Sequence, residues 1–146
     1  MCWFGKQKDR KLAQEDIKCK KFITKNVDNN QYFAFFRKEH LYQLGKIYYT
    51  PLQPKLEKER WISIQRGLHC YAPYVEITGI PHKAYTVKYN ASIVTYSTNI
   101  MAISTTRDIP VLVECTIPKG SEYYENQYGE IVAERLIINR EIDEGI

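Results

Sequence analysis

The chain has 146 residues, 44% of them hydrophobic, and a formal net charge of +4 at pH 7. That length supports one domain around one core, and the apolar share excludes a wholly disordered chain. No run approaches the roughly eighteen apolar residues of a membrane helix, and the charged N-terminus shows no apolar leader, so the expected compartment is the cytoplasm.

Twelve tyrosines against seven glycines favour a β-rich body, because aromatic rings suit pleated surfaces. Residues 1–14 read as a charged lead-in with an aromatic anchor at Trp3-Phe4, and residues 15–146 as a single β-rich domain. Residues 17–24 form the first strand; lysines at 18, 20 and 21 interrupt its apolar pattern and suggest a guarded sheet edge. A turn cluster follows at 26–31. Residues 32–36 open a strand, or a short helix running to Leu44. Residues 45–49 read as a strand closed by Pro51 and Pro54, and 55–60 as a surface loop or a single helical turn.

Trp61–Ile64 and Leu68–Tyr71 are short strands around Gly67. Residues 79–81 form a loop. The stretch 84–106 fits a helical stripe through Ile93, Tyr96, Ile100 and Ile103, and equally a pair of strands. Residues 111–117 are dense in β-branched side chains and bounded by Pro110 and Pro118, as a buried central strand requires. Gly120 tolerates the positive φ of the turn that follows. A short strand, an Asn/Gly turn and a final strand through Leu136, Ile137 and Ile138 complete the chain. The expected fold is α+β, mainly β: one compact domain around a central antiparallel or mixed sheet.

Charge is unevenly spread. Residues 1–46 carry eleven Lys/Arg against five Asp/Glu, and residues 111–146 carry three against eight. The basic residues between 6 and 46 open the way to a nucleic acid or another polyanion. The competing reading is a solvated surface whose two ends attract one another.

The four cysteines, Cys2, Cys19, Cys70 and Cys115, include no C-x-x-C pair, so a zinc site has little support. Cys19 and Cys115 lie in apolar runs and read as small core residues. Cys2 becomes N-terminal if Met1 is removed, a position from which a cysteine can act as nucleophile. With Trp3-Phe4-Gly5 it resembles the start of N-terminal-cysteine amidotransferases, although the rest of that pattern is missing.

Two places offer chemistry. In Gly67-Leu68-His69-Cys70-Tyr71, the glycine admits close approach of backbone or ligand, the imidazole can donate or accept, and Tyr71 offers a ring. Gly67, His69 and Tyr71 are therefore the candidate ligand-binding residues. Glu134, at the mouth of the last apolar run, is the candidate carboxylate. His40 and His82 sit in polar or loop contexts and read as surface residues. No phosphate loop, H-E-x-x-H or G-x-S-x-G motif occurs, and no metal or cofactor is called for by the residues alone.

Met1-Cys2, Gly67-Leu68-His69-Cys70-Tyr71 and the segment 117–132, IPKGSEYYENQYGEIV, together resemble an uncharacterised family of small proteins from phages and Bacteroides-related gut bacteria. The resemblance implies a phage or mobile-element accessory protein, acting in the host cytoplasm if phage-encoded. A second, weaker similarity is to ADP-ribosyltransferases. It rests on residues 67–72, 111–116 and 134–137 occurring in that order, and it implies an ADP-ribosyltransferase-like fold. NAD would then be the cofactor, Glu134 the catalytic carboxylate and His69 the residue that stacks on the ring. The ribose-binding strand of that family has no convincing counterpart here.

Three readings stand at this point: a module that binds a protein partner or a nucleotide-like ligand, an NAD-cleaving transferase, and a nucleic-acid-binding accessory protein. None of them involves a membrane. Oligomeric state has no signature in the sequence.

Overall fold

The computed structural model describes residues 3–34, 40–78, 84–89, 92–97 and 108–142. Its framework is a long antiparallel sheet. Strand β3 (Ile17–Asn26) and strand β13 (Asp108–Ile117) run side by side over ten paired positions, from Ile17 opposite Ile117 to Asn26 opposite Asp108. β13 is apolar on both faces: Leu112, Val113, Cys115 and Ile117 are all buried. This matches its β-branched density and its place inside the sheet. A register shift between Glu114 and Cys115 sets how it pairs with β16 (Arg135–Glu141).

The remaining strands of this sheet are β2 (Arg10–Leu12), β6 (Ile47–Tyr49), β9 (Leu68–Tyr71), β14 (Glu122–Glu125) and β15 (Glu130–Ala133). They lie in the order β2, β14, β15, β9, β3, β13, β16, β6, with β4 (Tyr32–Phe33) and β5 (Leu41–Tyr42) branching from β3. A small second sheet joins β1 (Trp3–Lys6), β8 (Trp61–Ile64) and β7 (Lys55–Leu56). A third joins β10 (Glu76–Thr78), β11 (Ala84–Tyr89) and β12 (Ser92–Ser97). Among the described residues the only helical turn is a 3₁₀ turn, Gln7–Asp9, and no helix is long and apolar enough to cross a membrane. The mainly β, single-domain expectation is met.

Two local expectations change, and one open alternative is decided in part. The strand opening at Ile17 is central, not an edge: Lys20 is buried and donates from Nζ to the Val75 carbonyl at 2.9 Å, while Lys21 donates to the His69 carbonyl at 2.5 Å. Long lysine stems can line apolar interior as long as their heads find acceptors. The lead-in is built into the fold, because Trp3 is only 2% exposed and its Nε1 donates to the Glu130 carbonyl at 2.8 Å. Of the two readings open for 84–106, strands hold over Ala84–Tyr89 and Ser92–Ser97, which pair antiparallel from Ala84 opposite Ser97 to Tyr89 opposite Ser92. His82, residues 35–39 and 98–107, and Cys2 lie outside the described residues.

The turns follow their sequences. Gly120, after Pro118 and Lys119, has φ +87°, and Gly129, in the Asn/Gly turn, has φ +75°. Asn126 anchors that second turn, its Oδ1 accepting the amides of Tyr128 and Glu130.

Candidate binding cavity and its surroundings

The cavity lies where β3 and β9 meet the segment around β5. Its volume is about 270 Å³, small for a drug-sized site and sufficient for a compact ligand. Leu68, Cys70 and Phe22 contribute to the apolar part, and Tyr42 and His40 form an aromatic side, their rings 5.5 Å apart. Lys21 and Arg66 supply positive charge.

Lys21 carries the electrostatics. It stands opposite Val113 on the ladder, half-buried, with Nζ bonded to the His69 carbonyl and 5.9 Å from the centre of the Tyr42 ring. No carboxylate pairs with it, and none lines the cavity, among the described residues. A partly desolvated ammonium with only a carbonyl and a ring for company keeps a positive field directed at whatever enters.

Gly67, His69 and Tyr71 all border this cavity, as their motif suggested. Each also has a contact within the fold. A Cβ on Gly67 would sit 2.3 Å from Val132 Cγ2 and 3.0 Å from Leu52 Cδ2, so the glycine serves strand packing. Tyr71 packs on Phe22 with ring centres 5.6 Å apart. His69 sits opposite Val132, and strand alternation puts its side chain on the other face of β9 from Leu68 and Cys70. What His69 demonstrably offers the cavity is its carbonyl, which holds Lys21. Burial, reinforced by the Lys21 charge, lowers the imidazole's pKa to about 4, with the carbonyls of Ile64 and Gly67 opposing part of that drop. The ring is neutral near pH 7.

Glu134 is elsewhere. It lies between β15 and β16 and is not among the residues lining the cavity. Its Oε1 accepts the Glu122 amide at 2.9 Å, its own amide donates to the Glu122 carbonyl at 3.1 Å, and its carbonyl accepts the Thr50 amide at 2.8 Å. The residue ties together three stretches of backbone.

Cys70, on the cavity wall, belongs to a thiol cluster. Cys19 and Cys115 face one another across β3 and β13, and Cys70 completes the group; all three are buried and free. Hydrogen bonds to Cys115 and Cys70, together with burial, raise the Cys19 thiol well above its usual range. No group of three His, Cys, Asp or Glu side chains suited to a metal ion occurs among the described residues.

No protein-family model matches the chain, nor does any curated protein or solved structure. The sequence marked Lys21 only as a guard of a sheet edge, and it did not offer Tyr42 or Arg66 as site residues. The available signal was the adjacent pair Lys20-Lys21 beside the apolar run Phe22-Ile23, which marks either an edge or an interior cation with a task.

Proposed function

We propose that this chain is a binding module whose central cavity takes a small, planar, anionic ligand of nucleotide type. It would serve as an accessory protein of the phage and gut-bacterial kind that the sequence resembles. The observation that carries the reading is the cavity's composition: two cations, an aromatic wall and no carboxylate among its described lining residues. Cations select for phosphate or carboxylate and rings select for a flat partner. Binding ranks above NAD cleavage because Glu134, the carboxylate a transferase would need beside the ligand, is engaged with the Glu122 amide.

The test is a calorimetric titration with adenosine and guanosine monophosphates, NAD and inorganic pyrophosphate, using the parent, Lys21→Met and Arg66→Ala. Charged hydrogen bonds are worth about 1.5–3 kcal/mol, so Lys21→Met is expected to weaken nucleotide binding about tenfold or more with the fold retained. The proposal fails if no probe binds the parent, or if Lys21→Met binds as the parent does. Release of nicotinamide from NAD, abolished by Glu134→Gln, would instead favour the transferase.

A protein partner is the second reading, favoured by one feature. β6 ends the long sheet, and its Ile47 and Tyr49 are both exposed. An open apolar edge is a template for strand addition.

A further inference from the structure

Part of the basic surplus of the N-terminal region is matched by carboxylates once the chain is folded. Arg10 pairs with Glu122 at 3.0 Å, Lys18 with Glu114 at 3.4 Å and Lys25 with Glu141 at 2.9 Å. Lys20 and Lys21 turn inward to carbonyls. The cations without an ion pair among the described residues include Lys6, Lys8, Lys11, Lys55 and Arg60. Lys6, Lys55 and Arg60 lie on or beside the small sheet of β1, β8 and β7, and Lys8 and Lys11 border the hollow next to it.

The register of that sheet sorts its side chains. Phe4 is opposite Ser63, Lys6 opposite Trp61, and Lys55 opposite Ser63. Because paired residues share a face and neighbours alternate, Phe4, Lys6, Lys55, Trp61 and Ser63 project together. Trp3, Ile62 and Ile64, from the alternate positions, are buried in a separate small core with Tyr124 and Val132. The outer face therefore carries two large rings, Phe4 at 58% and Trp61 at 42% exposed, interleaved with lysines. Lys6 Nζ lies 5.4 Å from the centre of the Trp61 ring. Tyr128, a third exposed ring, borders the adjoining hollow together with Lys8 and Lys11.

Acidic groups are present too. Three of them are engaged: Asp9 accepts the Lys6 amide at 2.8 Å, Glu57 accepts from the Ser63 hydroxyl at 2.7 Å, and Glu125 accepts from the Tyr74 hydroxyl. Glu59 remains on the rim beside Arg60 and Trp61. Such a surface is too weakly cationic to hold a duplex by phosphate contacts alone. It does present exposed rings to unstacked bases, with lysines alongside for the backbone. Sequence-tolerant single-strand binding combines these two elements.

We infer that the outer face of the β1–β8–β7 sheet is a binding surface for single-stranded nucleic acid, with bases stacking on Phe4 and Trp61 and phosphates meeting Lys6, Lys8, Lys11, Lys55 and Arg60. This surface is distinct from the central cavity and does not rest on the cavity's reading.

Fluorescence anisotropy with labelled oligo-dT and oligo-U of about fifteen nucleotides, within the site sizes of single-strand binders, tests it directly. A matching duplex and heparin serve as competitors, and circular dichroism checks each variant. The parent is expected to bind the single strands and to prefer them to the duplex. Phe4→Ala and Trp61→Ala should each weaken binding about five- to hundredfold, while Trp61→Phe should keep most of the affinity because a ring remains. Lys6→Gln with Lys8→Gln should flatten the salt dependence by about 0.7 per lost phosphate contact on logarithmic axes. Absence of single-strand binding by the parent overturns the inference. So does affinity unchanged when both rings are removed, or heparin and duplex binding as tightly as the single strands.

Discussion

At the scale of single residues, His69 makes a testable statement about pH. Its imidazole stays neutral in the folded protein down to about pH 4, whereas in an unfolded chain it titrates near the ordinary histidine value. Between roughly 6.5 and 4 the unfolded state therefore binds a proton that the folded state refuses. Stability should fall as pH drops through that window and stop falling, as far as this group is concerned, below it. The full effect is on the order of 3 kcal/mol. Urea titrations at several pH values should show this slope in the parent and its loss in His69→Gln, which cannot titrate. An identical pH profile in the two proteins would mean that the ring is solvated.

At the scale of elements, β3 decides the architecture. A strand with Lys18, Lys20, Lys21 and Lys25 along it is an unusual choice for the middle of a sheet, and the four lysines find two kinds of partner. Lys18 reaches Glu114 at the surface, Lys25 reaches Glu141, and Lys20 and Lys21 bond to carbonyls inside. The energetic consequences should separate accordingly. Lys20→Ala strips a buried stem and leaves the Val75 carbonyl unpaired, which costs about 1–3 kcal/mol. Lys18→Ala removes an exposed pair worth about 0–1 kcal/mol. Chemical denaturation of the two variants checks this, and equal losses would show that Lys20 is not held inside. Gly67 in β9's approach illustrates the same scale: the sequence marks it as a point of close approach, and Val132 Cγ2 is the atom that comes close.

At the scale of the whole molecule, the opposite charges of the two chain ends meet. The long sheet brings β2 beside β14 and β3 between β9 and β13, so basic N-terminal side chains face acidic C-terminal ones. Arg10, Lys18 and Arg140 are each more than 60% exposed in their pairs, and exposed pairs contribute little. Stability should therefore change by less than about 1.5 kcal/mol when salt is raised to about 0.5 M, where screening acts over only a few ångströms. A much larger loss in denaturation at high salt would mean that these pairs act as one cooperative network. The same topology separates the molecule's two candidate surfaces. The cavity draws on β3 and β9, and the aromatic-cationic face on β1, β7 and β8, so variants of one should leave the other intact.

Much of the fold was legible because strand signals are local. Val111 through Ile117 announces a buried strand by its branching and its prolines, and the glycines at 120 and 129 announce their turns. Trp61–Ile64 and Leu68–Tyr71 fall at the positions the pattern indicates. The motif at Gly67, His69 and Tyr71 also falls on the border of the cavity. Only the tertiary structure decided which side chains that cavity uses. Alternation along β9 follows from the chain, but which face meets the cavity depends on strands that pair from distant sequence. Trp3 likewise looks like part of a loose lead-in until Glu130, 127 positions away, accepts its indole N–H. Lys20 and Lys21 look like edge guards until the Val75 and His69 carbonyls come within reach. Local composition sets which segments extend, whereas the burial of a lysine or an indole is decided by acceptors that only folding brings near.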